Sequence, residues 1–178
     1  KWYWEVGYSA PVSVFPICGI STGFSNYVGY TGQNTESYGQ CSDGSLYYSA
    51  APISTYSAIG TNGVAMFAYD ADTGKLWTGA NGTWFNSGNP VAGTGQVATA
   101  AWYASGSYPS ITAYSSSTAN ANFGQRTVSG GAFDAASGGY FRYTPPSGFK
   151  ALCRKNLPVP TGAAAEPSKH FAVVNRNG

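Results

Sequence analysis

Helical periodicity is almost absent from this chain, and that absence constrains its fold more than any other feature. Apolar residues alternate with polar ones or stand in short runs bounded by Gly, Ser, Asn and Pro. The breaks fall about every 8 to 12 residues, as in antiparallel sandwiches. The chain therefore reads as all-β. In the opening segment Trp2, Trp4 and Val6 share one face while Lys1, Tyr3 and Glu5 share the other, which predicts a first strand with a tryptophan pair turned inward. Two buried indoles there would fasten the layers together.

Val12, Val14, Ile17 and Ile20 suggest a second strand, interrupted by Pro16, which cannot donate to a ladder and so implies an edge or a bulge. Residues 21–45 are rich in Gly, Ser, Thr, Asn and Tyr and too long for a hairpin turn, which marks a functional-loop candidate. Leu46, Tyr47 and Tyr48 resume extended structure, and 52–62 crosses toward the next strand. The clearest hairpins follow: a strand over 64–69, a turn over 70–74, a strand over 75–78, and Asn81-Gly82 leading into Thr83-Trp84-Phe85. Asn-Gly accepts the positive φ angles of a type I′ turn. That turn accounts for Asn81-Gly82-Thr83, which also matches a glycosylation sequon. Residues 89–95 form a Pro/Gly loop, 97–103 a strand and 105–107 a turn, while Ile111, Ala113 and 119–123 alternate as strands. The Gly/Ala/Ser-rich stretch between Thr127 and Gly139 reads as an exposed loop.

The least generic stretch comes next: Asn122-Phe123-Gly124-Gln125-Arg126, then Tyr143-Thr144-Pro145-Pro146-Ser147-Gly148-Phe149-Lys150-Ala151-Leu152. Pro145-Pro146 removes ladder donors and fixes extended backbone before Phe149 and Leu152 return to a core, so the last strand should feed a rigid, sheet-covering tail. This stretch resembles the closing segment of SPRY-type β-sandwich domains in bacteriophage structural proteins, an NFGQR strand, a PPxGFKAL turn and an NLPxP exit. Lys1-Trp2-Tyr3-Trp4-Glu5-Val6, the 63–70 segment with Gly74-Lys75-Leu76-Trp77, and Phe85-Asn86-Ser87-Gly88-Asn89-Pro90 resemble the same family in the same order.

The resemblance covers most of residues 1–160 and implies an antiparallel two-sheet β-sandwich, SPRY-like and of jelly-roll or concanavalin-like type. Residues 161–178 are expected to be a linker and a short strand over 169–174, a tail that in related phage proteins leads into a further region. The chain opens inside a strand with no charged leader and apolar h-region, which suggests a module of something longer or a processed product. For function, the resemblance implies a virion component, tail or tail-fibre associated, in which a rigid sandwich presents loops at one edge to a partner.

Composition supports one main domain, because 178 residues with 43% hydrophobic and 16% aromatic content can bury one sizeable core. Only 9% of residues are charged, so Ser, Thr, Asn, Gln and Gly must carry the outer faces. Residues 142–178 carry Arg142, Lys150, Arg154, Lys155, Lys169 and Arg176 against Glu166, a net of +5, and residues 1–141 carry a net of −3. The cations are too dispersed, and too far from any aromatic stacking platform, for a nucleic-acid site. No apolar run is long enough to span a membrane. Cys18, Cys41 and Cys153 include no C-x-x-C pair and have only His170 as a further soft ligand, so no zinc site is expected. A Cys18–Cys41 disulfide is an alternative to three buried thiols in the reducing cytoplasm where virions assemble.

A hydrolase needs paired acids, a nucleophile with a base, or a metal, and each runs short of residues here. His170 lies beyond the linker. Glu5 sits opposite the tryptophans, and Asp70 and Asp72 flank a turn, where Asp ordinarily bonds its own backbone. A calcium site at Asp70, Asp72 and Thr73 lacks the spaced oxygen ligands of an EF-hand. Arg126 most simply satisfies buried carbonyls or an acid such as Glu5. No catalytic residue, metal or cofactor is therefore expected.

The loops 21–38, 80–85 and 103–108 become the candidate sites. They mix aromatic residues with Asn, Ser and Gly, the composition of adaptable paratopes. The candidate ligand-binding residues are Tyr27, Tyr30, Asn34, Tyr38, Asn81, Trp84, Tyr103 and Tyr108, against a background in which most of the 14 tyrosines and both Trp77 and Trp84 fit a core or half-buried strand position. The expected partners are other virion subunits, a host-surface glycan or protein, and in one reading a second copy of the chain. Two alternatives stand beside recognition: a decoration piece docked between subunits, and a polysaccharide hydrolase using Glu36 or Asp43.

Overall fold

The computed structural model describes residues 1–9, 16–22, 29–102, 106–113, 117–125 and 127–157. In chain order the strands are β1 (Trp2–Tyr8), β2 (Ile17–Ser21), β3 (Ser37–Cys41), β4 (Ser45–Tyr48), β5 (Ala51–Thr55), β6 (Val64–Asp70) and β7 (Lys75–Ala80). They continue with β8 (Thr83–Trp84), β9 (Ala98–Thr99), β10 (Tyr108–Thr112), β11 (Ala119–Asn122), β12 (Ala132–Asp134), β13 (Gly139–Phe141) and β14 (Lys150–Ala151). One sheet runs β11-β1-β6-β7-β8, with β9 on β7 and β14 parallel to β1, and the second runs β10-β2-β3-β4-β5. The protein is an all-β sandwich.

The even-numbered residues of β1 build the space between the sheets. Trp4, Val6 and Tyr8 pack with Cys18 and Ile20 of β2, Ala65, Phe67 and Tyr69 of β6, and Leu76 of β7. Trp4 stacks on Phe67 at 5.2 Å and 5°. Each such large apolar side chain contributes about 2 to 3 kcal/mol of transfer free energy. A hydrogen bond also crosses between the sheets, from the Thr78 hydroxyl to the Gln40 side-chain oxygen at 2.9 Å, with both residues fully buried. Trp2 itself is only half-buried, so the expected inward pair is one indole deep and one at the rim.

The odd-numbered face of β1 is not solvent. A second core forms there from Tyr3, Met66, Ala68, Trp77, Phe141, Phe149 and Ala151. The β12–β13 hairpin and the segment after Pro145-Pro146 lie across the sheet, and Phe149 meets Trp77 edge-on at 6.1 Å. The sheet-covering tail read from the proline pair is therefore present, with Phe149 buried and Leu152 half-buried. Because both faces are covered, β6 is buried along its whole length.

Four local expectations need correction. Residues 21–45 do not form one long loop, since β3 lies inside them, and β5 takes up the first part of the crossing expected over 52–62. The Gly-rich stretch 127–139 is largely exposed as expected, but it is not all loop; it supplies β12 and the start of β13. The strand expected over 97–103 shrinks to Ala98–Thr99. Val12, Val14, Arg126, and the linker and strand expected over 161–178 lie outside the described residues.

The Asn81-Gly82 hairpin is as read, with φ of 51° and 91° and Ala80 paired to Thr83. Asp70 also acts as expected, its carboxylate accepting the Asp72 N–H at 3.1 Å while Lys1 approaches at 3.3 Å. Burial raises the Asp70 pKa, but the backbone bond from Asp72 and the Lys1 ammonium outweigh it and leave the carboxyl below its ordinary value. All three cysteines are free thiols.

Candidate functional site

Register divides the sandwich into two ends. Trp2, Tyr69 and Lys75 stand at one, and Gly7, Val64 and Ala80 at the other. At the first end Ile20, Tyr69, Tyr108 and Pro109 enclose, with Trp2 and Trp4, a pocket of about 130 Å³. Nearby, the Tyr38 ring lies between Tyr48 at 4.6 Å and Trp102 at 6.2 Å, nearly parallel to both. The Trp102 indole N–H donates to the Thr35 carbonyl at 2.9 Å, tying this stack to the 31–36 segment.

That segment is a cover rather than a free loop. Thr31 is fully buried, its N–H donating to Thr112 Oγ1 at 3.0 Å and its hydroxyl 2.8 Å from that of Ser110. It lies over the outer face of the second sheet because Gly39 of β3 offers no side chain there; a Cβ at that position would overlap the Thr31 carbonyl oxygen. Asn34 is spent holding this cover, accepting from Glu36 N–H at 3.1 Å and from the Ser37 hydroxyl at 2.9 Å. Tyr30 packs edge-on against Tyr47 at 5.8 Å.

The second end carries the larger opening, a groove of about 730 Å³ between residues 55–58 and residues 80–86. That size falls within the usual range of ligand clefts. Asn81 and Trp84 line it, joined by Tyr56, Phe85 and Asn86. Tyr56 stacks on Phe85 at 4.8 Å and 5°, and Trp84 meets Tyr3 edge-on at 6.3 Å. Asn81 braces the wall: its amide N–H₂ donates to the Ile59 carbonyl at 2.9 Å and its oxygen accepts the Val64 N–H at 2.9 Å. Asn86 donates to the Gln96 carbonyl at 3.0 Å. Among the described residues no Lys, Arg, His, Asp or Glu lines this groove.

The candidate residues thus fall into three places. Tyr38 and Tyr108 gather at the first end, Asn81 and Trp84 at the second, and Tyr30 and Asn34 on the cover; Tyr27 and Tyr103 lie outside the described residues. Sequence reasoning missed Tyr56, Asn86, Tyr48 and Trp102. Nothing local in the sequence joins Tyr56 to residues 84–86, because they meet across the two sheets. The left-handed Asn86 and Ser87, at φ of 54° and 50°, had a usable signal in Asn-Ser followed by Gly.

Several carboxylates are committed to backbone. Glu5, 2% exposed, accepts from the Tyr3 hydroxyl at 2.9 Å, the Arg142 N–H at 2.9 Å and the Tyr143 N–H at 2.8 Å. Burial first, then the Glu5 charge and its hydrogen bond, push the Tyr3 phenol well above its ordinary pKa. Asp43 accepts the Ser45 N–H at 2.8 Å and Asp134 the Ser137 N–H at 2.6 Å. Among the described residues no three of His, Cys, Asp and Glu come together as a metal site. No helix among them is long and apolar enough to cross a membrane.

The fold and its openings define a two-sheet β-sandwich with an uncharged aromatic groove at one end. The chain matches no protein-family model and no curated protein.

Proposed function

We propose that this protein is a noncatalytic recognition module of a bacteriophage virion, associated with the tail or tail fibre and attaching to the host surface. The observation that carries this reading is the groove at Tyr56, Asn81, Trp84 and Asn86, mounted on a sheet buried on both faces. A stiff scaffold under an open aromatic and amide surface suits binding, because little ordering free energy is lost on contact. The SPRY-like motif order supports the particle setting. Glu5, Asp43, Asp70 and Asp134 each satisfy backbone N–H groups, which supports binding over hydrolysis.

The test is the position of this domain in intact particles, mapped by a labelled antibody in electron microscopy. A distal, solvent-facing location is expected. Burial between subunits would refute recognition and favour the decoration reading, which the exposed Phe133 and Tyr140 ring pair on the β12–β13 hairpin supports.

A further inference from the structure

We infer that the ligand of the groove at the Asn81 end is an uncharged saccharide chain, an assignment that rests on the recognition reading above and specifies its partner. Three observations converge. Among the described residues the lining holds no side chain that is charged at neutral pH, so an acidic polymer or a charged peptide would enter without a counter-charge and lose its hydration. The groove offers ring surface and hydroxyl-bearing residues together: Tyr56 has one face covered by Phe85 and is only half-buried, Trp84 is half-buried, and Ser57 and Thr83 are exposed. A pyranose needs that pair of features, an apolar C–H face to lie on an aromatic ring and equatorial hydroxyls to exchange hydrogen bonds at its edge.

The third observation is a fixed wall. Asn81 and Asn86, which line the groove, hold left-handed φ angles of 51° and 54°, a conformation that Asn adopts readily and that hydrogen bonds can lock. Here the Asn81 bonds to Ile59 and Val64 and the Asn86 bond to Gln96 fix them. The wall is therefore set before any ligand arrives, which limits the ordering free energy lost on contact with a neutral sugar.

The experiment uses the full chain on an array of neutral hexose and N-acetylhexosamine oligosaccharides beside uronic-acid and sialic-acid ones, with hits titrated by calorimetry. Neutral oligosaccharides are expected to bind, with affinity changing less than about twofold between low and high salt. Trp84→Ala should weaken binding about tenfold, the loss of one stacked ring. Because Trp84 also touches Tyr3, Ser57→Trp serves as the second variant: it fills the groove from an exposed position and should weaken binding equally with an unchanged melting temperature. Val91→Ala, at an exposed residue outside the groove, should bind as the parent does. Binding confined to acidic glycans with a steep salt dependence overturns the assignment, as does neutral-sugar binding that Ser57→Trp leaves intact. Attachment to host cells that survives neutral-sugar competition and is lost on protease treatment of the cells overturns the saccharide while leaving recognition standing. A distal domain that neither adheres to cells nor binds any glycan removes both.

Discussion

Glu5 holds the outer layer of the protein onto its sheet, and replacing it should loosen that layer before anything else. Its Oε1 takes the Tyr3 hydroxyl and the Tyr143 N–H, and its Oε2 takes the Arg142 N–H. Glu5→Ala removes both acceptor oxygens, and with them all three hydrogen bonds, at a position that is 2% exposed. An unpartnered buried donor costs about 1 to 3 kcal/mol, and with some water entering the vacated space the sum is about 3 to 5 kcal/mol. For a chain of this size each kcal/mol shifts Tm by about 2 to 4 °C, so a fall of roughly 6 to 20 °C is expected. Glu5→Gln is the sharper test, since it keeps volume but turns one acceptor into a donor that must face an N–H in either orientation; about 2 to 3 kcal/mol is expected. Differential scanning calorimetry measures the loss, and hydrogen exchange should show the Arg142 and Tyr143 amides opening fastest. Glu36→Gln, at an exposed acid, should stay within about 0.5 kcal/mol. A Glu5→Gln protein that melts with the parent and protects both amides equally would refute the reasoning.

Ala50, at φ of 63° in the β4–β5 turn, is strained, and Ala50→Gly should stabilise by about 0.5 to 1 kcal/mol in urea denaturation; destabilisation would show the turn is relaxed. Gly39→Ala drives a methyl group into the Thr31 carbonyl and should cost about 2 kcal/mol or more, with protease cleavage appearing near residues 30–36. Burial pushes the Cys18 thiol up to about 12 and Cys41 up to about 11. Both should resist alkylation in the native protein at neutral pH and react after denaturation. Since folding raises these pKa values, the stability they protect is complete below the unfolded thiol value of about 9 and declines as pH rises toward about 11 to 12. A melting temperature that rises across that alkaline window would contradict the burial.

The strands that alternate cleanly were legible. Trp4 and Val6 point inward as their parity requires, and Asn81-Gly82 turns as its φ preferences require. What parity could not reveal was that the opposite residues, Tyr3 and Glu5, are buried too, because the layer covering them arrives more than 130 residues later in the chain. The 127–139 stretch looked like loop since its glycines give no hydrophobic pattern; of them Gly139 is small because it passes close to Gly124 under Ala151. Among the candidate site residues, Asn81 and Trp84 reach the larger groove, but Asn34 proved to be a brace. An Asn that bonds a ligand and one that bonds its own loop have the same sequence signature.

The parallel pairing of β14 with β1 sets how the protein bears tension. Trp2 lies beside Lys150 and Tyr3 beside Ala151, so a pull entering ahead of β1 and leaving after β14 drags two side-by-side strands in opposite directions. Their hydrogen bonds are then loaded in shear and must fail together rather than peel one at a time. A domain wired this way would stay closed under traction that opens a simple hairpin.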